Sequence, residues 1–195
     1  MKTLFHLTLV VLILSTGPAM AGSVSGNLHS SKDLKESQRA AVVWIEGLSP
    51  GVNASDKPVM SQSGIQFAPR VLAVVAGQTV DFPNNDDVAH NVFSMSKTKR
   101  FKLGIYPKGE SREVTFEKPG VIDLFCSIHR HMHAVIVVTP SEHAAQAEIG
   151  KTYTIEDVPA GSYKVHAWNS AHKKLVQEVT VAQDGETTLD FAFEE

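Results

Sequence analysis

The chain of 195 residues contains a single cysteine, Cys126, so no internal disulfide can form. An odd cysteine in an exported chain indicates an intermolecular bridge, a reactive thiol or a metal ligand. The plain structural alternative is a buried, inert cysteine that fills space like a small apolar residue. The histidines and the methionine that follow Cys126 in the sequence favour the metal ligand.

The sequence also lacks an apolar run long enough to cross a membrane, which takes about 20 residues. The longest run, Leu4–Leu14, follows Lys2 and precedes Ala19-Met20-Ala21, which has the small-x-small form of a cleavage site. These features predict a signal peptide at residues 1–21, a mature protein that begins near Gly22, and no membrane span. We therefore expect a periplasmic or otherwise secreted protein.

Neither sign of charge is in large excess, since 18 Lys and Arg face 21 Asp and Glu and the formal net charge is −3. A balance this mild gives no reason to expect nucleic acid or an anionic membrane as a partner. The Gly-x-Ser-x-Gly and His-Glu-x-x-His motifs of hydrolases are absent from the sequence. We therefore expect a protein that is not an enzyme and does not bind nucleic acid.

No segment has a sustained helical period, and the mature sequence predicts short strands. The candidates are rich in Val, Ile, Phe or Thr and are mostly bounded by Gly, Pro or Asn; they lie at 71–76, 79–82, 91–95, 111–117, 121–126 and 134–139. Lys32–Ala40 and the mixture of alanine and charge at 142–148 are the two places that favour a helical turn. Short strands at this spacing indicate an all-β fold of the sandwich type.

Four residues offer a mixed set of soft and borderline metal donors. His90 opens one candidate strand, Cys126 closes another, and His129 and Met132 follow Cys126 in a short loop. Hard ions such as magnesium and calcium prefer oxygen ligands. Two His and one Cys with a weak axial Met form the ligand set of a blue-copper electron-transfer site. The sequence therefore predicts one copper bound by His90, Cys126, His129 and Met132.

The region from Ile65 to Val138 resembles the cupredoxin family. The likeness is carried by Phe67–Pro69, by Val80–Asn84 with the following His90-Asn91-Val92, and by the strand end Phe125–His129. Met132, three residues after the second histidine, has the amicyanin-like spacing. The resemblance implies a Greek-key β-sandwich with one type 1 copper per chain, single-electron transfer between redox protein partners, and an electron exit at His129. It also implies that Asn91 braces the ligand loop by hydrogen bonds.

Two further histidines in the ligand loop leave alternatives open. His131 stands where amicyanin has an aromatic residue, and His133 follows Met132. One of them as a ligand would give a Cys and three His, a set suited to zinc. Together they would also suit a copper-binding or delivery protein that uses the same site plus a histidine-rich loop. The simplest interpretation is that both are solvated side chains near the copper.

A basic segment, Lys97–Lys102, stands out in a chain of negative net charge. Such an asymmetry could steer an acidic redox partner, or the segment is an ordinary solvated loop. The sequence does not place it relative to the copper ligands.

After Pro140 the strand pattern predicts a second small β-sandwich at 141–195. Its segment Val158–Trp168 resembles the carboxypeptidase regulatory-like family of extracellular modules, whose two opening strands match Ser23–Leu28 and Ala41–Gly47 far upstream. We therefore predict that a cupredoxin domain at 55–140 is inserted into a sandwich built from 22–54 and 141–195, since loop tips accept insertions readily. The alternative is that 22–54 supplies the first strands of the cupredoxin domain.

Overall fold

A computed structural model describes residues 21–49, 51 and 57–194. Apart from a single 3-10 turn at Glu36–Gln38, the regular elements of these residues are all β-strands. The signal peptide predicted at 1–21 falls, except for Ala21, outside the described residues. No helix in the part of the chain that the structure describes has the length and apolar character needed to cross a membrane.

The strands form two β-sandwiches. The first sandwich contains nine strands: β3 (Ser61–Gln62), β4 (Phe67–Ala68), β5 (Val71–Val75), β6 (Thr79–Asp81), β7 (His90–Ser94), β8 (Phe101–Tyr106), β9 (Glu113–Thr115), β10 (Gly120–Phe125) and β11 (His133–Thr139). The second sandwich contains the other eight: β1 (Ala21–Ser30), β2 (Ala40–Ile45), β12 (Ala144–Glu148), β13 (Thr152–Pro159), β14 (Gly161–Asn169), β15 (Leu175–Val181), β16 (Glu186–Thr188) and β17 (Phe191–Phe193).

The main sheet of the first sandwich has the strand order β5-β11-β10-β7-β8. Strand β11 pairs in parallel with β5 and antiparallel with β10. The short pairs β3-β4 and β6-β9 form the other layer and are linked by isolated bridges, Val59 to Asp81 and Gln62 to Asn84. Between the layers lies a core that includes Phe67, Phe82 and Phe116, all nearly fully buried. The predicted all-β sandwich is confirmed.

Most strand predictions for the first sandwich agree with the structure within two residues at each end. Strands β3, β4 and β8 were not predicted. Strands β3 and β4 have only two residues each, and β8 continues directly from the basic segment. The helical turn predicted at 142–148 is wrong: Ala144–Glu148 is β12, paired antiparallel with β2. Pairing with a buried neighbouring strand overrides the helix propensity of its alanines.

The second sandwich joins strands from both ends of the described chain. Its sheets have the orders β13-β1-β16, with β17 also on β1, and β12-β2-β14-β15. Its own core includes Val24, Leu28, Phe191 and Phe193. Strands from the 22–54 segment therefore pair with strands that follow residue 140, the arrangement that an insertion of 55–140 would give. The domain boundaries and the likeness to regulatory-like modules stay predictions.

A third apolar cluster joins the two sandwiches. Val42 of the second sandwich packs with Val71, Val135 and Val137 on the outer face of the five-stranded sheet. Beside it, the amide of Gln146 bonds to the edge strand β5, where its Nε2 donates to the carbonyl of Val71 and its Oε1 accepts from the backbone N–H of Ala73, each at 3.1 Å. The side chain thus satisfies backbone groups that an edge strand otherwise leaves open.

Candidate metal centre

Strand pairing brings His90 to the same end of the first sandwich as the loop that carries the other three predicted ligands. His90 is the first residue of β7, and Cys126 directly follows β10. The two strands are antiparallel neighbours, with Phe93 opposite Phe125, so the start of one meets the end of the other. The loop between β10 and β11 then carries His129 and Met132 back over the same end.

Three potential ligand atoms converge there. The ring nitrogens Nδ1 of His90 and His129 are 3.0 Å apart, and Cys126 Sγ lies 4.0 Å from His129 Nδ1. All three ligand atoms fall within 4.8 Å of one another. His90 is fully buried, Cys126 is 3% exposed and Met132 is 1% exposed. Among the described residues this is the one group of three or more His, Cys, Asp or Glu side chains close enough to hold a metal ion.

Asn91 lies beside the cysteine and fastens the start of the ligand loop. Its Oδ1 accepts hydrogen bonds from the backbone N–H of Ser127 at 2.8 Å and from the Ser127 hydroxyl at 3.1 Å. The Cys126 thiol also lies 3.4 Å from this oxygen, within the range of a weak sulfur hydrogen bond. A single buried amide oxygen therefore holds both the thiol and the residue after it.

Asp86, which the sequence did not single out, holds the other side of His90. Its Oδ2 lies 2.8 Å from His90 Nε2, so the ring presents Nδ1 to His129 and Cys126. Partial burial by itself raises the pKa of Asp86, but hydrogen bonds from the Ile65 N–H, from His90 and from the Gly64 N–H outweigh it and hold the pKa below its usual value. A carboxylate on the far nitrogen of a ligating histidine fixes the ring and makes it a stronger donor.

A buried polar network supports the segment that leads to His90. The amide of Asn84 donates to the carbonyls of Val88 at 2.9 Å and Tyr106 at 3.1 Å. The Tyr106 hydroxyl donates to the carbonyl of Phe82 at 2.9 Å and accepts from Gln62 at 2.5 Å. Burial is the main reason that the pKa of Tyr106 is raised to about 12. Sequence reasoning missed Gln62 and Tyr106, because neither has a distinctive motif.

The two extra histidines of the loop lie apart from the converging group. His131 Nε2 is 3.0 Å from the carbonyl oxygen of Ile65, and its ring is 6.4 Å from that of His129. His133 lies on the outer face of the sheet, where it pairs with Asp123 at 2.9 Å and packs on Phe125. Neither belongs to the three-residue group around Cys126.

The basic segment begins at the end of the five-stranded sheet away from the ligands and runs back towards them. Thr98 packs against Gly120, where β10 begins; with a rise of about 3.3 Å per residue, the six residues from Gly120 to Cys126 place it roughly 20 Å from the cysteine. Lys102, by contrast, lies opposite Phe93, which is itself opposite Phe125. Screening at physiological salt acts over about 8 Å, so the cations near Thr98 contribute little to the field at the ligands.

The donor set and its spacing fit copper. The two imidazole nitrogens and the thiol that converge are soft and borderline donors, and no carboxylate belongs to their group. The Met132 thioether is buried in the same core cluster as Cys126. Copper is bound by such sets, whereas magnesium, calcium and manganese favour oxygen.

The first sandwich is similar to known copper proteins. Residues 54–139 match the family described as copper binding proteins, plastocyanin/azurin family. Similar solved structures include a purple cupredoxin from Nitrosopumilus maritimus, 24% identical over 43% of this chain and 100% of that chain, with a TM-score of 0.39. They also include a Cu(I) amicyanin variant with methionine replaced by alanine, 23% identical over 50% of this chain and 98% of that chain, with a TM-score of 0.41. The search of curated proteins finds no match.

Proposed function

We propose that this chain, whose residues 54–139 match the copper-binding plastocyanin/azurin family, is a type 1 copper protein that carries single electrons. His90, Cys126, His129 and Met132 hold one copper per chain. The observation that carries the proposal is the convergence of two ring nitrogens and one thiol within 4.8 Å at a buried end of the sandwich.

Copper bound there supplies the one-electron chemistry between its cuprous and cupric states. The protein keeps the ligands in nearly one arrangement, because hydrogen bonds hold the segments that carry them. Asp86 fixes the His90 ring, Asn91 fixes the cysteine end of the loop, and the Met132 N–H donates to the His129 carbonyl at 3.0 Å. Ligands held in this way rearrange little on electron transfer, which favours fast exchange.

The electron leaves and enters at His129, which is partly exposed, whereas His90 is fully buried. Exposed apolar side chains lie on the segments around this end: Ile65, Val88, Ile105 and Ile128. Exposed apolar clusters of this kind suit protein–protein contact. We propose that redox proteins dock here, and that Arg130 beside His129 favours partners with an acidic rim.

The chain acts as a carrier and not as an enzyme, since four protein ligands leave no open coordination position for a substrate. It acts in the periplasm or is otherwise secreted, as the predicted signal peptide indicates. The proposed ligand set also accounts for a lone thiol in an oxidising compartment, because coordination keeps the sulfur deprotonated and occupied.

The first test is the visible spectrum of the purified, copper-loaded and oxidised protein beside its Cys126→Ala variant. We expect an intense orange-red band from the copper–thiolate bond that disappears on reduction and is absent from the variant. His143→Ala, which removes a histidine of the second sandwich, is the matched control and keeps the band. A wild-type protein that stays colourless with copper, or binds zinc equally well without a redox change, would contradict the proposal.

The stoichiometry of binding separates an electron carrier from a copper-delivery protein. We expect one copper per chain, unchanged in a His131→Ala, His133→Ala double variant. A second copper that this double variant loses would favour delivery through the histidine-rich loop.

A further inference from the structure

The turn Ser63–Gln66 between β3 and β4 adopts a backbone conformation that its sequence disfavours. Gly64 has φ of 65° and Ile65 has φ of 55°, so two successive residues occupy the left-handed region. The Ser63 N–H donates to the Gln66 carbonyl across the turn at 3.0 Å. Glycine enters this region freely, but for a β-branched residue it is an outlier that persists only where the surroundings impose it.

The surroundings of Ile65 are two polar side chains, one on each side of its backbone. The Asp86 carboxylate accepts the N–H of Gly64 at 2.6 Å and the N–H of Ile65 at 2.9 Å. On the other side, His131 Nε2 lies 3.0 Å from the Ile65 carbonyl oxygen. Since a carbonyl oxygen only accepts, the ring nitrogen of His131 is the donor.

Both side chains lead directly to the proposed copper ligands, although they come from different segments. Asp86 belongs to the segment before β7, and its Oδ2 also meets His90 Nε2 at 2.8 Å. His131 belongs to the loop between β10 and β11, between His129 and Met132 in the sequence. The turn is therefore the point at which the first-ligand segment and the ligand loop are tied together.

We propose that the turn Ser63–Gln66 is a clasp that fixes these two segments relative to each other, with Asp86 and His131 as its positioning residues. The inference rests on the proposed copper function. Asp86 selects the His90 tautomer that carries its proton on Nε2, and its negative charge favours the more positive oxidation state of the metal. His131 holds the loop through the Ile65 carbonyl, which explains a histidine at this position without making it a ligand.

The decisive variant is Asp86→Asn, which retains one acceptor oxygen but removes the charge and the second acceptor. The loss of such a partner typically changes metal affinity 10- to 100-fold. We expect the ratio of Cu(II) to Cu(I) affinity to fall about tenfold, which raises the reduction potential by about 59 mV, with a shifted thiolate band. Asp87→Asn is the matched control, since its carboxylate is 89% exposed and pairs with Lys108.

A second pair of variants tests the other side of the clasp. His131→Phe keeps an aromatic ring but removes the donor to Ile65, and His131→Gln restores a donor. We expect slower electron self-exchange in the first and partial recovery in the second. Because both sides act through one turn, Asp86→Asn and His131→Phe should be non-additive when combined. Fully additive effects on the self-exchange rate would contradict the clasp.

Hydrogen exchange in the metal-free protein separates this proposal from the copper proposal. We expect faster exchange of the Gly64 and Ile65 amides in Asp86→Asn and wild-type rates in Asp87→Asn. If the wild-type protein forms no copper–thiolate band but shows this exchange pattern, the copper function fails while the clasp stands. Unchanged exchange in Asp86→Asn, or an equal shift of potential in Asp87→Asn, overturns the clasp.

Discussion

The two sandwiches have nearly equal apolar cores and different buried polar groups. Sixteen buried hydrophobic residues form the core of the first sandwich and fifteen form that of the second, so apolar burial does not distinguish them. The first sandwich buries a run of polar residues: Gln62, Asn84, His90, Asn91 and Ser94. Buried polar groups must be hydrogen-bonded to be tolerated. Most of those in the first sandwich lie at the end that carries the proposed copper ligands.

The buried polar residues of the second sandwich bond to other groups of that sandwich. The Asn169 amide donates to the carbonyls of Gln38 at 2.7 Å and Ala40 at 2.9 Å, and its oxygen accepts the N–H of Ala171 at 2.9 Å. His166 pairs with Glu46 at the surface and stacks on Trp44. Among the described residues of this sandwich no three potential ligand side chains converge. The comparison shows that the fold by itself does not make a site.

The largest effect is expected from truncating one buried phenylalanine in each core. Phe82→Ala and Phe191→Ala each remove a fully buried ring, and we expect each to lower the free energy of unfolding by about 3–5 kcal/mol. The first should also alter the copper spectrum, since Phe82 belongs to the same core cluster as Cys126 and Met132. Chemical denaturation and visible spectra measure the two effects. An altered spectrum in Phe191→Ala alone would reverse the comparison.

Asn91 and Asn169 form a matched pair of buried amides for a sharper test. In Asn91→Ala and Asn169→Ala the hydrogen-bond partners are left unsatisfied, and we expect each to cost about 1–3 kcal/mol of unfolding free energy. Asn91→Ala should broaden or shift the thiolate band, because Cys126 and Ser127 lose their common partner, whereas Asn169→Ala should leave it unchanged. If both variants keep the wild-type spectrum, Asn91 is a structural residue only.

The junction between the sandwiches is tested by Gln146→Ala. This variant loses the two bonds to the edge of β5, and we expect a smaller cost of about 1 kcal/mol. Thermal unfolding should then become less cooperative between the sandwiches, as followed by the copper band and by total secondary structure. Transitions that coincide as closely as in the wild type would indicate that the apolar cluster alone couples them.

The smallest effect is expected from single exposed charges of the first sandwich. Arg130→Glu changes an exposed charge beside His129 and should lower the rate of electron transfer with an acidic partner several-fold, because local potential steers encounter. Lys97→Glu makes the same change in the basic segment and should alter the rate little. The dependence of both rates on ionic strength provides the measurement. A larger effect of Lys97→Glu would move the docking surface away from His129.

The parts of the fold and of the candidate site that could be predicted are those with a local signal. The apolar residues of β10 and β11 each lie within one short stretch of chain, and so does the Cys126–Met132 loop. Strands β3 and β4 have two residues each and depend on partners elsewhere, so their sequence carries no signal of its own. The alanines of β12 favour a helix locally and become a strand only because β2 lies beside them.

By itself the sequence determined an all-β chain and a donor set whose chemistry favours copper, and it gave the expectation of export. Residue types and short spacings carry this information. The tertiary structure decided the partners of those donors. It brought Asp86 to His90, His131 to Ile65, and Thr98 of the basic segment to Gly120, at the start of β10. These contacts depend on the register between strands that are distant in the chain, and register is set by how whole sheets bury their apolar faces.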